Sequence, residues 1–208
     1  MNTRQICRAF SAAILAAALG TMAAACSSDD TSTNSSGVTT TEGQRASAEL
    51  PDDVNDADVT FVKGMIPHHE QAIQMSEMVI ANGDDATVIA VAEQIKAAQG
   101  PEIDQMNTWL DDWGIESTET DSMGGMDGMD DTNGMMSGDE MDTMSQTMGT
   151  DLDQMFLEMM IRHHQGAIRM AEVELEEGSN TDVIALAQGI ADGQQAEIDQ
   201  MQAMIEDT

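Results

Sequence analysis

The chain's four histidines come as two adjacent pairs, His68-His69 and His163-His164. Thioethers stand one or two helical turns from each pair. Met65 precedes His68 by three residues and His69 by four, and Met75 follows His68 by seven. Met159 and Met160 lie four residues before His163 and His164, and Met170 lies seven after His163. Imidazole and thioether together suit soft or borderline metals, above all Cu(I), with Ag(I) as its mimic and Cu(II) taken by the imidazoles. Glu102, Met106, Glu197 and Met201 recur beside them as secondary candidates. Binding requires neutral imidazole, so affinity should fall below pH ~6.5. Two plainer readings compete. Buried histidines can be satisfied by Glu102, Glu197 or neighbouring Gln side chains, tying helices together without any metal. A methionine on an apolar face is, taken singly, a core filler.

The elements that must position these groups are written twice. At an offset of 95, residues 58–110 align with 153–205 without a gap, giving 22 identities in 53 positions. Both histidine pairs fall in register, as do Asp58/Asp153, Phe61/Phe156, Met65/Met160, Met75/Met170 and Gln99/Gln194. A run from Glu102 to Met106 likewise matches Glu197 to Met201, so the chain contains a duplication. Within each copy, apolar residues recur at spacings of three and four, first over Phe61 to Ile80 and again over Val88 to Leu110. Asn82-Gly83-Asp84 and Gly178-Ser179-Asn180 supply the stops between the two helices of each copy. Each hairpin exposes an apolar stripe it cannot cover alone. Two together predict an all-α four-helix bundle. Pro67 precedes the first histidine pair where the second copy has Arg162, so any bend it causes is not needed by the shared architecture.

Between the copies, residues 117–150 interleave Gly, Asp, Ser and Thr with Met123, Met126, Met129, Met135, Met136, Met141, Met144 and Met148. This composition predicts a flexible linker. Its thioethers, Met123, Met126 and Met129 first among them, read as a low-affinity metal-collecting arm. At the start, Arg4 and Arg8 precede an apolar run from Ala9 to Leu19, and Ala23-Ala24-Ala25 lead into Cys26. The order is that of a secretory signal, and the run is short for a membrane span. A Cys at that position resembles the bacterial lipobox, in which it becomes the lipidated first residue. The expected organisation is therefore a signal peptide over 1–25 and a lipidated flexible tether over 26–50. A first hairpin over 51–116, the linker over 117–150 and a second hairpin over 151–208 complete it. The reading places the chain outside the cytoplasm, anchored to the membrane through Cys26.

Seven Lys and Arg against 39 Asp and Glu give a formal charge of -32, which repels phosphate backbones and draws cations. Nucleic acid is therefore not an expected partner. The expected partners are a metal ion and, through Cys26, the membrane; a second copy of the chain or a copper-accepting protein are further partner classes the reading leaves open. Aromatic residues make up 2% of the chain and Met numbers 20, so the core must be aliphatic and thioether-rich.

With these residues set out, the chain resembles the bacterial family called domain of unknown function 305. The likeness rests on Phe61-x3-Met65-Ile66-x-His68-His69-x2-Ala72-x2-Met75, on its repeat from Phe156 to Met170, and on Gln-x2-Glu-Ile-x2-Met at 99–106 and 194–201. It covers roughly residues 50–207. The resemblance implies a ferritin-like four-helix bundle and an exported protein, with copper binding linked to copper tolerance in some members. The expected function is copper sequestration, tolerance or handover without turnover. Two alternatives stand beside it: a metal-free structural or partner-binding envelope lipoprotein, and a ferritin-like redox enzyme. The redox enzyme needs Glu-x-x-His, but the residues three before the histidines are Met65, Ile66, Met160 and Ile161. No nucleophile-base constellation, phosphate loop or Zn-type Cys cluster is visible either.

Overall fold

Helix α1 (Asp56–Asn82) starts where the Asn55 side chain accepts from the backbone N–H of Asp58 while the Asp58 carboxylate accepts from that of Asn55. This reciprocal cap satisfies two of the donors a helix start leaves orphaned. The computed structural model describes residues 50–115 and 133–206. Helix α2 (Ala86–Asp112) begins at the Asp85 cap, α3 (Gly138–Gln146) at Ser137, α4 (Gly149–Glu177) after Met148, and α5 (Thr181–Glu206) after the Asn180 side chain. The 27 residues of α1 span about 40 Å. Pro67 lies inside α1, which runs on past it. Among the described residues every regular element is a helix, and none is long and apolar enough to cross a membrane.

Helices α1 and α2 pack as one hairpin, α4 and α5 as the other, and α1 lies against α4. Their apolar residues form two clusters, not one. Phe61, Val62 and Met65 of early α1 pack with Ala167 and Ala171 of late α4. Ala72, Met75 and Val79 of late α1 pack with Leu152, Phe156 and Met160 of early α4. Helices α1 and α4 are therefore antiparallel, and the changeover falls at positions 68–69 and 163–164. The histidines form a polar layer between two apolar half-cores.

The hairpins also pin each other's turns. Asp58 Oδ1 accepts from the backbone N–H groups of Ser179 and Asn180 at 3.1 and 3.0 Å. Its repeat mate Asp153 accepts from those of Asp84 and Asp85 at 3.0 and 2.8 Å. The Asp58/Asp153 identity thus has a structural cause: each carboxylate holds the turn that leads into the other copy's second helix.

The expectation of a flexible segment through residue 150 is corrected over 133–150. Ser137 and Glu140 form a second capping box, Arg162 pairs with Glu140, and Met136 and Met144 are buried. Met141 and Met144 stand three apart on α3, a signal masked by the surrounding Gly and Asp. Helix α4 accordingly begins at Gly149, two residues before the predicted hairpin boundary. Met123, Met126 and Met129, the signal segment, Cys26 and most of the predicted tether lie outside the described residues.

Candidate metal centre

His68 and His69 on α1 and His163 and His164 on α4 are each at most 1% exposed. The rings of His68 and His163 meet across the α1–α4 interface at a centroid distance of 3.8 Å, and those of His163 and His164 lie 6.4 Å apart. The duplication brings all four predicted imidazoles together at the middle of the bundle.

Their hydrogen bonds divide the ring nitrogens. His69 Nε2–H donates to Glu102 Oε2 at 2.8 Å, and His164 Nε2–H donates to Glu197 Oε2 at 2.7 Å. His68 Nε2–H donates to the Asn133 carbonyl at 3.0 Å. An acceptor held at Nε2 fixes the proton there and leaves Nδ1 as the lone-pair nitrogen. All four Nδ1 atoms are buried without a hydrogen-bond partner, and His163 Nε2 has none either. Burial holds His68 down to about 3, against the Asn133 bond that raises it. Burial, and then the neighbouring imidazoles, keep His163 well below the usual imidazole range. These two rings are neutral at physiological pH.

Buried polar atoms left without partners cost about 1–3 kcal/mol each, so a cluster of five needs a physical reason. Neutral imidazole nitrogens with free lone pairs are donors for soft and borderline cations, and the donor set fits copper. A hard cation would want carboxylates, and Glu102 and Glu197 are turned to the outer side of the imidazoles. Among the described residues no three His, Cys, Asp or Glu side chains are already gathered as a cage.

The predicted sulfur residues line both sides of the layer. Met65 and Met106 are buried in the half-core that Met170 packs against; Met75, Met160 and Met201 are buried in the other, with Met159 against it. Met170 also reaches α1, its methyl facing the α-carbon of Gly64. Sequence reasoning missed the strap over 133–137. Gln71 Nε2 donates to the Met136 carbonyl at 2.8 Å, and the Met136 N–H donates to Gln71 Oε1 at 2.7 Å. A side chain at Gly166 would overlap the Asn133 carbonyl, so only glycine admits the strap there. Gln71 and Gly166 are repeat mates that differ next to the histidine pairs. That difference was the available signal.

The fold and site define an all-α bundle of two duplicated hairpins closed around a buried histidine layer. Residues 58–205 match the family described as Domain of unknown function (DUF305), and the chain belongs to that family. A DUF305 fragment from Deinococcus radiodurans superposes with a TM-score of 0.67 at 29% identity, covering 74% of this chain and 99% of that one. A DUF305 protein from Streptomyces coelicolor, whose description proposes secretion, gives 0.65 at 30% identity over 73% and 91%. CopM in its Cu(II)-bound form gives 0.63 at 28% identity over 72% and 96%, and in its Cu(I)-bound form 0.58 at 26% over the same shares. An uncharacterized protein of Acanthamoeba polyphaga mimivirus is 38% identical over 55 residues, 26% of this chain and 36% of that protein's length.

Proposed function

We propose that this protein is an extracytoplasmic copper-binding lipoprotein that sequesters or hands on the metal without turnover. Nδ1 of the buried histidines supplies the binding nitrogens, and motif methionines supply sulfur. The observation that carries the reading is the set of four buried Nδ1 atoms without partners, three of them on rings whose Nε2 is tied elsewhere. Glu102 and Glu197 then orient their rings through Nε2. Copper in two oxidation states on CopM, a relative of the same architecture, supports the choice of metal. Cys26 is the proposed lipid anchor, on the lipobox resemblance alone.

The metal-free structural reading has one observation in its favour, the His69–Glu102 and His164–Glu197 pairs it expects. Those pairs account for Nε2 and leave every Nδ1 unexplained. Titration with Ag(I) and Cu(I), read by native mass spectrometry, separates the two. Replacing all four histidines by Ala should abolish tight binding while circular dichroism still reports a helical bundle. Unchanged stoichiometry and affinity in that variant refutes the proposal.

A further inference from the structure

Helices α2 and α5 are not among the pairs packed along their lengths, and a half-open cleft lies between them. Gln99 and Glu102 line one wall, Gln194 and Glu197 the other. These are repeat mates, so the two copies meet here as equivalents. The carboxylates are the ones that hold His69 and His164, so the cleft's floor is the outer edge of the histidine layer.

Two features of the cleft serve no packing purpose. Gln99 is 2% exposed, yet neither its amide nitrogen nor its oxygen has a partner, and Gln194, 4% exposed, has an unpartnered amide oxygen. Gly189 and Gly193 stand one turn apart in the interior of α5, and a Cβ on either would meet nothing within 4 Å. Glycine inside a helix costs roughly 1 kcal/mol relative to Ala, and no close neighbour requires it here. The second copy has glycine where the first has Gln94 and Ala98, so the opening is a departure from the shared plan. The space open to water in the cleft is about 40 Å³, far below the ~300–1,000 Å³ of sites for organic ligands. At roughly 10–15 Å³ of such space per water it admits a few water-sized groups, enough for an ion that has shed most of its hydration shell.

We propose that this cleft is the inlet through which the cation reaches the histidine layer, and a first, oxygen-donor station on the way. The amide oxygens of Gln99 and Gln194, with the outer carboxylate oxygens of Glu102 and Glu197, replace hydration water before the imidazoles take the ion. The acidic surface concentrates cations at the mouth. This inference rests on the copper reading, and its test keeps the two apart. Aquo Cu(II) is mixed with the full chain in a stopped-flow instrument, and equilibrium affinity is measured by chelator competition. Gly189→Leu/Gly193→Leu fills the cleft from positions where a Cβ meets nothing within 4 Å, and Gln99→Leu/Gln194→Leu removes the oxygen donors. In the glycine variant association and dissociation slow together by at least tenfold with affinity unchanged, the signature of a blocked passage. The glutamine variant slows association likewise. Unchanged rates in both variants with binding intact overturn the inlet alone, as does slowing matched by an equal loss of affinity. A wild-type chain that binds neither Cu(II) nor Ag(I) overturns the copper reading and the inlet with it, and one that binds Ag(I) but not Cu(II) overturns the inlet alone.

Discussion

Gly166→Ala is expected to behave unlike other helix glycines in this chain. A methyl there overlaps the Asn133 carbonyl oxygen and carbon and crowds the Gly134 nitrogen, all backbone atoms that cannot rotate away. The strap must lift. With it go the paired bonds between Gln71 and Met136 at 2.8 and 2.7 Å, the Asn133–His68 bond at 3.0 Å, and the burial of the Met136 side chain. Three hydrogen bonds at about 1 kcal/mol each and one buried side chain at about 2 kcal/mol make roughly 5 kcal/mol. Freeing two or three residues of backbone at about 1 kcal/mol each returns about 2–3 kcal/mol, and Ala in place of helical Gly returns up to about 1 kcal/mol. A net loss of about 1–2 kcal/mol remains, a fall in Tm of roughly 2–8 °C for a domain of this size. Gly100→Ala, where a Cβ meets nothing within 4 Å, is the control and should raise Tm. Thermal melts report the sign, and amide exchange at Met136 reports the strap. A Gly166→Ala protein as stable as Gly100→Ala, with Met136 still protected, refutes the reasoning.

Three further outcomes follow from the same geometry. His68 and His163 stay neutral when folded but take up protons when unfolded below pH ~6.5, so the unfolded state binds more protons and stability rises with pH. Urea unfolding should therefore show stability falling from about pH 6.5 downward, by about 1.4 kcal/mol per unit for each ring; a flat profile contradicts it. Burial and the adjacent Asp58 raise Glu174 to about 8, so the folded state holds a proton that the unfolded state loses above its ordinary 4.5. Glu174→Gln should accordingly raise Tm at about pH 9 and leave it unchanged at about pH 4. Asp153→Ala strips the turn donors of Asp84 and Asp85 and should cost about 1–3 kcal/mol in urea unfolding, an effect Asp151→Ala on the exposed first turn of α4 should not share.

The hairpins and the burial of the histidines were legible because they depend on local periodicity and on an unbroken 95-residue offset. Asp58 and Asp153 stood out as a repeated pair, but their role was not readable, since each caps a turn more than 60 residues away in the other copy. Glu102 and Glu197 were expected beside the histidines as secondary ligands, and the structure sets their carboxylates on Nε2 of His69 and His164. Spacing puts a carboxylate near an imidazole; only geometry says which nitrogen it occupies. The strap was hidden for another reason. Its order comes from Gln71, Arg162 and Gly166 on α1 and α4, and its own composition argues for coil. Tertiary contacts overrode local preference there. Glu174 was invisible as an ionisation site because a carboxylate four residues from a turn is ordinarily solvated, and here it is 1% exposed.

Imidazole ¹⁵N resonances of the chain with and without Ag(I) test the metal centre most directly. The buried-layer account predicts that silver shifts histidine Nδ1 signals while His69 and His164 keep their protons on Nε2, held by Glu102 and Glu197. A silver-loaded protein whose eight imidazole nitrogens are unmoved, or in which Nε2 of His69 and His164 carries the metal, contradicts it.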